Sequence, residues 1–290
     1  MYALKSFDYF EPATVKEAVQ ILAQYGEKAK ILAGGVDLIP RMRKEKTKAE
    51  YLVNIQGIPG LNAIKDDKSS GLNFGAMTKL HAIETAETVK TGYPILFEAI
   101  HQIASVQAKY MGTAVGNICV ATPASDVVTV LMALDAVITI TGKSGERKEP
   151  IAKFCVDYGR TSLKPYEMVT AVSIPASAAG ISTAFMNLVR TRADIAKLTV
   201  AAALKMENGT CREARIAIGS AAPTVLRPAK AEKILAGEKL NSRLINDAAE
   251  AAAGETKTID DVRSTAAYRK DMTRLLVSRV IEKALGNGKA

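Results

Sequence analysis

The apolar positions near the start of the chain follow a helical period. Over residues 14–25 they fall on one face of a helix, and Thr14 with Glu17 forms a capping-box pattern at the first turn. Gly26 follows at the position where a helix commonly ends, because glycine readily adopts the left-handed conformation that closes the last turn. The pattern therefore predicts a helix that ends at Gly26.

Two short apolar runs follow this helix and are predicted to be strands. The first covers residues 29–33 and leads directly into Gly34-Gly35, and the second covers residues 51–55. Strand, helix and strand together predict a small βαβ-like lobe over about residues 1–56.

Between residues 57 and 175 the pattern changes to short strands separated by helical stretches. Strands are predicted over residues 72–74, 136–141 and 168–174, and helices over residues 80–89 and 94–103. This alternation favours a mixed α+β lobe over a doubly wound parallel sheet. We therefore predict one two-lobed domain over residues 1–175, with its second lobe at 57–175.

The segment 176–182 is rich in small residues and separates a last unit. Two strands are predicted there, joined by the hairpin signal Glu207-Asn208-Gly209-Thr210. The strands cover residues 198–206 and 213–218, and the predicted helices cover residues 229–235, 242–253 and 267–285. We therefore predict a smaller α+β domain over residues 176–290.

Two glycine-bearing segments, residues 30–38 and 111–126, carry the candidate chemistry. Neither has the spacing of the dinucleotide fingerprint G-x-G-x-x-G or of the P-loop. A glycine pair after an apolar strand still permits positive φ and turns successive N–H groups toward an anion. The two segments are therefore predicted to form the two halves of a diphosphate cradle.

Charge and composition narrow the class of protein. The 290 residues carry a net charge of +9 at pH 7, but Lys and Arg are dense only over residues 41–48, and Trp is absent. This distribution argues against nucleic-acid binding and fits an anionic cofactor or an acidic partner subunit. No apolar run reaches the roughly 20 residues of a membrane span, and no signal peptide is visible, so a cytoplasmic location is expected.

The residues that commonly build catalytic or metal sites are scattered. Cys119, Cys155 and Cys211 form no C-x-x-C pair, which argues against a zinc or iron–sulfur site built by this chain. His81 and His101 lie in predicted helices, where packing is the simpler explanation. No catalytic residue and no metal ligand is therefore predicted.

The motifs resemble the FAD-binding subunit of the molybdenum hydroxylase family, the group of xanthine dehydrogenase and carbon monoxide dehydrogenase. The resemblance covers essentially the whole chain, and it includes Ala-Gly-Gly-Val-Asp-Leu in the first segment and Gly-Asn in the second. The similar stretches are residues 7–14, 33–38, 93–96, 106–107, 116–117, 122–126, 217–224, 261–263 and 268–269.

This resemblance implies a two-lobed FAD-binding fold of the vanillyl-alcohol oxidase or PCMH type, followed by a smaller α+β carboxy-terminal domain. It implies that the chain holds FAD, while a molybdenum cofactor and 2Fe-2S clusters lie on partner subunits. By the same resemblance, the chain is an oxidoreductase subunit. It would take electrons from the iron–sulfur centres of a partner chain and pass them to NAD or another acceptor.

The resemblance also assigns roles to particular residues. The amides of the first segment and the side chains of Thr113 and Asn117 would hold the diphosphate and neighbouring hydroxyls, and Asp126 would accept a hydrogen bond from a cofactor hydroxyl. The full set of predicted cofactor-binding residues is Leu32, Ala33, Gly34, Gly35, Val36, Asp37, Leu38, Ile103, Thr113, Gly116, Asn117, Cys119, Ala121, Thr122, Asp126, Val169 and Met186.

Four residues of this set, Ile103, Cys119, Val169 and Met186, would lie near the isoalloxazine ring. Packing offers an alternative explanation for each of them. Ile103 and Val169 would be apolar core in many folds, and a buried thiol at Cys119 can simply replace an aliphatic side chain.

Three positions depart from the family pattern: Val36 replaces a Thr or His, Val115 a glycine, and Met186 a lysine near the flavin. A β-branched residue tolerates positive φ poorly, so the second segment is expected to differ locally at Val115. A thioether supplies no positive charge, so a lower flavin potential is expected unless Arg190 or Arg192 compensates. These departures leave open a flavin-free scaffold subunit, and a free-standing flavoenzyme is a third hypothesis.

Overall fold

The computed structural model describes residues 4–287, and its first lobe contains a parallel sheet of three strands. The elements of this lobe are β1 (Asp8–Phe10), α1 (Val15–Tyr25), β2 (Ala29–Leu32), α2 (Leu38–Arg43) and β3 (Tyr51–Asn54). The strand order is β1-β3-β2, so the end of β2 lies beside the end of β3. The short strand β1 was not predicted.

Helix α1 begins and ends as predicted. Thr14 Oγ1 accepts a hydrogen bond from the N–H of Glu17 at 3.1 Å, and the Glu17 carboxylate accepts one from the N–H of Ala13 at 2.8 Å. Gly26 has a φ of 56°, and its N–H donates to the carbonyl of Leu22. The helix is therefore closed at both ends by the residues that the pattern indicates.

The second lobe is an antiparallel sheet of five strands with most of its helices in one continuous stretch of chain. The sheet order is β4-β5-β10-β6-β7, and β8 and β9 form a separate hairpin. The elements are β4 (Ile64–Asp67), β5 (Gly71–Gly75), α3 (Leu80–Thr85), α4 (Glu87–Gly92), α5 (Pro94–Gln102), α6 (Val106–Met111), α7 (Ala114–Cys119), α8 (Asp126–Ala133), β6 (Val137–Gly142), β7 (Gly145–Pro150), α9 (Ile151–Phe154), β8 (Cys155–Asp157), β9 (Arg160–Thr161) and β10 (Met168–Ile174).

The helix predicted over residues 80–89 is two helices in the structure. The chain is extended at Ala86, with ψ at 124°, so α3 ends there and α4 begins. Ile83 and Val89 are both fully buried. These two positions lie about 120° apart around a continuous helix, so the turn allows both to reach the core.

The last unit is an antiparallel sheet of three strands in the order β11-β12-β13, covered by helices. Asn208 and Gly209 both have positive φ, 52° and 76°, which is the hairpin turn that the sequence predicts. Strand β11 was not predicted, because its mixed small and polar residues show no clear alternation. After a short 3-10 segment at Ala176–Ala178, the elements are β11 (Ser182–Leu188), β12 (Leu198–Glu207), β13 (Thr210–Gly219), α10 (Ala229–Leu235), α11 (Ser242–Gly254) and α12 (Ala266–Asn287).

This last sheet packs on both of its faces. One face carries Phe185 and Ala201 into the core cluster of the two-lobed part, and the other carries Val200 and Ala202 into a cluster with α10, α11 and α12. Alternate side chains of a strand point to opposite faces, so a single sheet joins two cores. The domain limits at residues 1–175 and 176–290 stay predictions.

Two features were searched for across the described part of the chain. No helix within residues 4–287 is long and apolar enough to cross a membrane. The same residues contain no group of three or more His, Cys, Asp or Glu side chains that could hold a metal ion.

Candidate functional site

The structure brings the two glycine segments into direct contact. A Cβ atom on Gly34 would lie 2.1 Å from the carbonyl oxygen of Met111 and 2.9 Å from the Cα of Gly112, so only glycine fits there. Lys79 Nζ donates to the same Met111 carbonyl at 2.9 Å, and the N–H of Leu80 donates to the Gly112 carbonyl at 3.0 Å. The end of β2 and the end of α6 therefore share one closely packed backbone surface.

The first segment leaves its backbone donors unpaired. Among the described residues, the N–H groups of residues 34–38 donate no hydrogen bond to another part of the chain. Gly35 has a φ of 71°, which turns the chain into α2, and its carbonyl accepts the N–H of Ile39 at 3.1 Å. Consecutive unpaired N–H groups beside glycines suit the oxygens of a phosphate.

The second segment, in contrast, uses its polar groups within the chain. Thr113 Oγ1 accepts the N–H of Gly116 at 2.9 Å and thereby caps α7, and a Cβ on Gly116 would lie 2.8 Å from that oxygen. The limited space beside Thr113 Oγ1, and not a positive φ, therefore requires glycine at position 116. Val115 lies inside α7, is 5 % exposed and has no positive φ.

Ser125 fixes the orientation of the Asn117 amide. Its hydroxyl donates to Asn117 Oδ1 at 2.5 Å and accepts the N–H of Val128 at 3.0 Å, at the first turn of α8. Because Oδ1 of Asn117 is engaged, the Nδ2 group is left as the donor.

Asp126, the first residue of α8, has an incomplete hydrogen-bond environment. Its Oδ1 atom is buried and has no hydrogen-bond partner within residues 4–287. Burial raises the pKa of this carboxyl from 3.8 to about 7. An unpartnered buried carboxylate is costly, so a ligand that donates a hydrogen bond here would stabilise the charged form.

The chain turns sharply between α7 and α8. Ala121 has a φ of 50°, and its carbonyl accepts the N–H of Gly159 at 2.9 Å from the hairpin of β8 and β9. Thr122 Oγ1 accepts the N–H of Ala124 at 3.4 Å. The hairpin therefore supports the turn that carries Ala121 and Thr122.

Two family models match the chain. The FAD binding domain in molybdopterin dehydrogenase matches residues 5–177, which include both glycine segments and Asp126, and the CO dehydrogenase flavoprotein C-terminal domain matches residues 183–284. The chain belongs to the FAD-binding subunits of molybdopterin dehydrogenases.

Relatives of this family agree over nearly the whole length. The chain is 35% identical to the 6-hydroxypseudooxynicotine dehydrogenase complex subunit alpha of Paenarthrobacter nicotinovorans, over 97% of this chain and 95% of the relative. It is 32% identical to the carbon monoxide dehydrogenase medium chain of Afipia carboxidovorans, over 98% of each chain. A solved carbon monoxide dehydrogenase chain from Hydrogenophaga pseudoflava matches with a TM-score of 0.95 at 32% identity, over 98% of this chain and 99% of that one. The predicted family and the predicted α+β fold are confirmed.

The residues present fit FAD, the cofactor of this family's domain. A diphosphate needs donors that add no further negative charge, and the amides of residues 34–38 with Asn117 Nδ2 provide them. A cofactor hydroxyl needs an acceptor, and Asp126 Oδ1 is buried and unpartnered within the described chain. These residues therefore include hydrogen-bond donors for the diphosphate and an acceptor for a cofactor hydroxyl.

The ring-side role of Met186 stays a prediction, and the packing of β11 bears on it. Met186 packs against the cluster formed with α10, α11 and α12, whereas its neighbour Phe185 packs against the cluster of the two-lobed part. Because successive side chains of β11 alternate, Asn187 lies on the Phe185 face of the sheet. Asn187 is therefore a second candidate for the ring side, and Met186 stays a prediction.

The other ring-side residues lie in or against the first core. Ile103 and Cys119 are partly buried against it, and Val169 is buried within it beside an irregularity in the pairing of β10 with β6. Burial, with a smaller contribution from the Cys155 thiol, raises the pKa of Cys119 to about 12. The thiol is therefore neutral at physiological pH, which supports packing for Cys119, while ring contact by Ile103 and Val169 stays a prediction.

Two polar residues at the cradle were missed by the sequence analysis. Gln56 Nε2 donates to the carbonyl of Ala33 at 2.7 Å, and Lys79 Nζ donates to that of Met111. Burial lowers the pKa of Lys79. The contacts join residues 23 and 32 positions apart, so no local pattern could reveal them.

The two histidines belong to a cluster of charged side chains next to α6, which supports the packing explanation for them. His101 Nδ1 and Lys109 Nζ contact the same oxygen of Glu84, at 2.8 and 2.7 Å, and His81 stacks on Tyr110 at 3.9 Å between ring centroids. Although burial alone would raise the pKa of Glu84, hydrogen bonds from Lys109 and His101 hold it below its usual value. The cluster anchors the helix that ends at the cradle.

Proposed function

We propose that this chain is the FAD-bearing electron-transfer subunit of a multi-subunit molybdenum-containing hydroxylase or dehydrogenase. It takes electrons from iron–sulfur centres on a partner chain and passes them to NAD or another acceptor. The observation that carries the proposal is the close contact of Gly34 with Met111, which sets the unpaired amides of residues 34–38 against the segment that leads to Asp126.

Each group of the cradle has a distinct role in this proposal. The amides of residues 34–38 donate to diphosphate oxygens, and Asn117 Nδ2 adds a neutral side-chain donor. Asp126 Oδ1 accepts a hydrogen bond from a cofactor hydroxyl. Lys79 is a positioning residue, because it holds the Met111 carbonyl against which Gly34 packs.

When bound, FAD supplies the redox chemistry, and the protein supplies binding, orientation and exclusion of water. The residues around Cys119 and Val169 contribute a largely apolar wall, and the neutral Cys119 thiol adds no charge to it. In this scheme the described residues supply no catalytic side chain.

The names of the relatives support assembly with other subunits. One is the alpha subunit of a dehydrogenase complex, and others are medium chains of carbon monoxide and glyceraldehyde dehydrogenases. We extend this to a molybdenum-cofactor subunit and a 2Fe-2S subunit as the partners of this chain.

The decisive experiment is the visible absorption spectrum of the purified chain after incubation with FAD and gel filtration, followed by dithionite. A retained flavin spectrum that bleaches on reduction is the expected result. Anaerobic addition of NAD⁺ to the reduced protein then tests that acceptor by the return of the oxidised spectrum. Failure to retain flavin at saturating FAD would overturn the proposal and favour the flavin-free scaffold.

A further inference from the structure

The loop between α11 and α12 carries two exposed apolar side chains, and a third lies at the start of α12. Val262 is 98 % exposed, Ile259 is 63 % exposed and Tyr268 at the start of α12 is 42 % exposed. Single exposed apolar residues are common on protein surfaces, but a group with one side chain wholly in water is typical of a contact surface.

Hydrogen bonds hold this loop in one conformation. The Asp261 carboxylate accepts the N–H of Arg263 at 2.8 Å, the N–H of Ser264 at 3.1 Å and Nη2 of the buried Arg269 at 2.7 Å. Val262 therefore stands at the tip of a constrained turn. A side chain presented in this way loses little conformational entropy when a partner covers it.

The same loop is linked to the proposed cofactor cradle. Arg269 Nη1 donates to the carbonyl of Ser220 at 3.3 Å, and the N–H of Ser220 donates to the carbonyl of Pro123 at 2.8 Å. Pro123 lies between Thr122 and Asp126 in the second segment. Two hydrogen bonds through Ser220 thus connect Arg269, at the base of the loop, with the turn that precedes Asp126.

A second loop is linked to the first through Ser220 and Arg269. The Ser220 hydroxyl donates to the carbonyl of Ala196 at 3.1 Å, next to Ile195, which is 52 % exposed. This loop, residues 189–197, also carries Arg190 and Arg192 on the surface. Together, Ile195, Ile259, Val262 and Tyr268, with the cations on these two loops, form what we name the Val262 surface.

The charge of the Val262 surface is predominantly positive. Residues 189–197 and 257–263 contain five Lys and Arg residues and three Asp residues. Each aspartate accepts a backbone N–H, Asp194 that of Ile195, Asp260 that of Ala266 and Asp261 that of Arg263. Asp194 and Asp261 also pair with Arg190 at 3.7 Å and Arg263 at 3.9 Å, which leaves Arg192, Lys197 and Lys257 as the further cations of the two loops. A partner that complements this surface presents an apolar pocket edged by carboxylates.

We propose that the Val262 surface docks the electron-donating sister subunit of the complex. The inference rests on the proposed function, since it takes the existence of such a subunit from there. The link through Ser220 and Pro123 favours the electron donor, because a donor must lie close to the cofactor-bearing segment. Because the Val262 surface is positively charged, the edge of the partner's binding pocket is expected to carry negative charge.

The test is co-production of the full chain with the molybdenum and iron–sulfur subunits of its complex, followed by measurement of association by gel filtration and binding titration. Val262→Glu removes the apolar tip and adds a charge that opposes an acidic rim. The side chain is almost wholly in water, so the fold is expected to tolerate it. Val156→Glu is the matched control, because Val156 is 55 % exposed on the hairpin of β8.

We expect Val262→Glu to weaken association at least about tenfold, with flavin content and melting temperature unchanged, and Val156→Glu to match the wild type. Association of the wild type should also weaken as salt is added, because the rim is charged. Wild-type affinity in Val262→Glu would overturn the docking surface while leaving the proposed function intact. A wild-type chain that binds FAD and joins neither subunit would overturn the partner assignment and the surface with it.

Discussion

The two glycine segments differ in how their polar groups are paired within the chain. In the first, the N–H groups of residues 34–38 donate no hydrogen bond within the described chain, and the glycines are required by contact and by positive φ. In the second, Thr113 and Ser125 occupy the local polar groups as caps of α7 and α8. Within residues 4–287, its buried side-chain atom without a hydrogen-bond partner is Asp126 Oδ1.

The difference shows how donors and acceptors are kept ready for a ligand. Backbone donors at an exposed turn can be solvated by water until a ligand arrives, so leaving them unpaired costs little. A buried carboxylate has no such alternative, and its pKa rises to about 7 as a result. The first segment is therefore available at low cost, whereas the second carries a free-energy penalty that a cofactor hydroxyl would relieve.

The largest expected effect comes from a substitution that forces the two glycine segments apart. Gly34→Ala places a Cβ 2.1 Å from the Met111 carbonyl, so the two segments must separate, and FAD affinity should fall more than about 100-fold by titration of flavin fluorescence. Gly57→Ala is the control, because a Cβ there meets no atom within 4 Å. Equal FAD binding by both variants would show that the contact is not needed for the cradle.

Removing the charge of Asp126 should have opposite effects on FAD affinity and on the stability of the FAD-free protein. Asp126→Asn should weaken FAD binding by about 10-fold to 100-fold, as expected for loss of a hydrogen bond to a charged group. The FAD-free variant should nevertheless be more stable than the wild type at about pH 8, by up to about 4 kcal/mol at about 1.36 kcal/mol per pKa unit. Calorimetry of both proteins without FAD checks this, with the exposed Asp8→Asn as control; a less stable Asp126→Asn protein would refute the penalty.

The raised pKa also predicts how the second segment responds to pH. Its value in the folded protein, about 7, exceeds the ordinary 3.8, so the contribution of Asp126 to stability is full below about pH 4 and is lost as pH rises through about 7. A hydroxyl donor lowers this pKa, so FAD binding releases a proton and should tighten up to tenfold between about pH 6 and about pH 8. Proton release measured by calorimetry in two buffers provides the check, and a pH-independent affinity would contradict it.

Outside both segments, β11 tests which residue faces the flavin. Asn187→Lys should raise the flavin midpoint potential by about 30 mV, equivalent to about 1.4 kcal/mol for a two-electron couple, because a cation stabilises the anionic reduced form. Met186→Lys is the matched comparison, and it should leave the potential unchanged while lowering stability, since Met186 packs in the carboxy-terminal cluster. If only Met186→Lys raised the midpoint potential, Met186 would be the residue that faces the flavin.

The smallest expected effect concerns the two threonine caps. Thr113→Ala and Thr14→Ala each remove a hydroxyl that accepts a helix N–H, and each should cost about 1 kcal/mol of stability in urea unfolding. Only Thr113→Ala should also weaken FAD binding, by several-fold, because α7 carries Asn117. Equal flavin affinity in the two variants would limit Thr113 to a structural role.

Much of the fold follows from local pattern. The helix at Val15–Tyr25, the strand at Met168–Ile174 and the turn at Asn208 and Gly209 match their predictions, since caps, apolar runs and turn residues act over a few positions. Strand β11 escaped prediction because its partner β12 specifies it. The break at Ala86 escaped for a related reason: it depends on which residues the core receives.

The same distinction between local pattern and contact of distant residues applies to the candidate site. The glycine segments and the acidic residue after them could be selected from sequence and from the family resemblance. The contact of Lys79 with Met111 and of Gln56 with Ala33 could not, because each joins separate elements. The face of Met186 depends on the pairing of β11, and one position along a strand reverses it.

The sequence by itself determined where the glycine segments lie, where helices start, and to which family the chain is similar. Those properties depend on residue type and on neighbours a few positions away. Only the tertiary structure decided that Gly34 packs on Met111, that Asp126 Oδ1 is buried without a partner among the described residues, and that Met186 and Asn187 lie on opposite faces of the sheet. Close contact, burial of charge and the face of a strand arise when distant parts of the chain meet, so they are set by packing and not by local pattern.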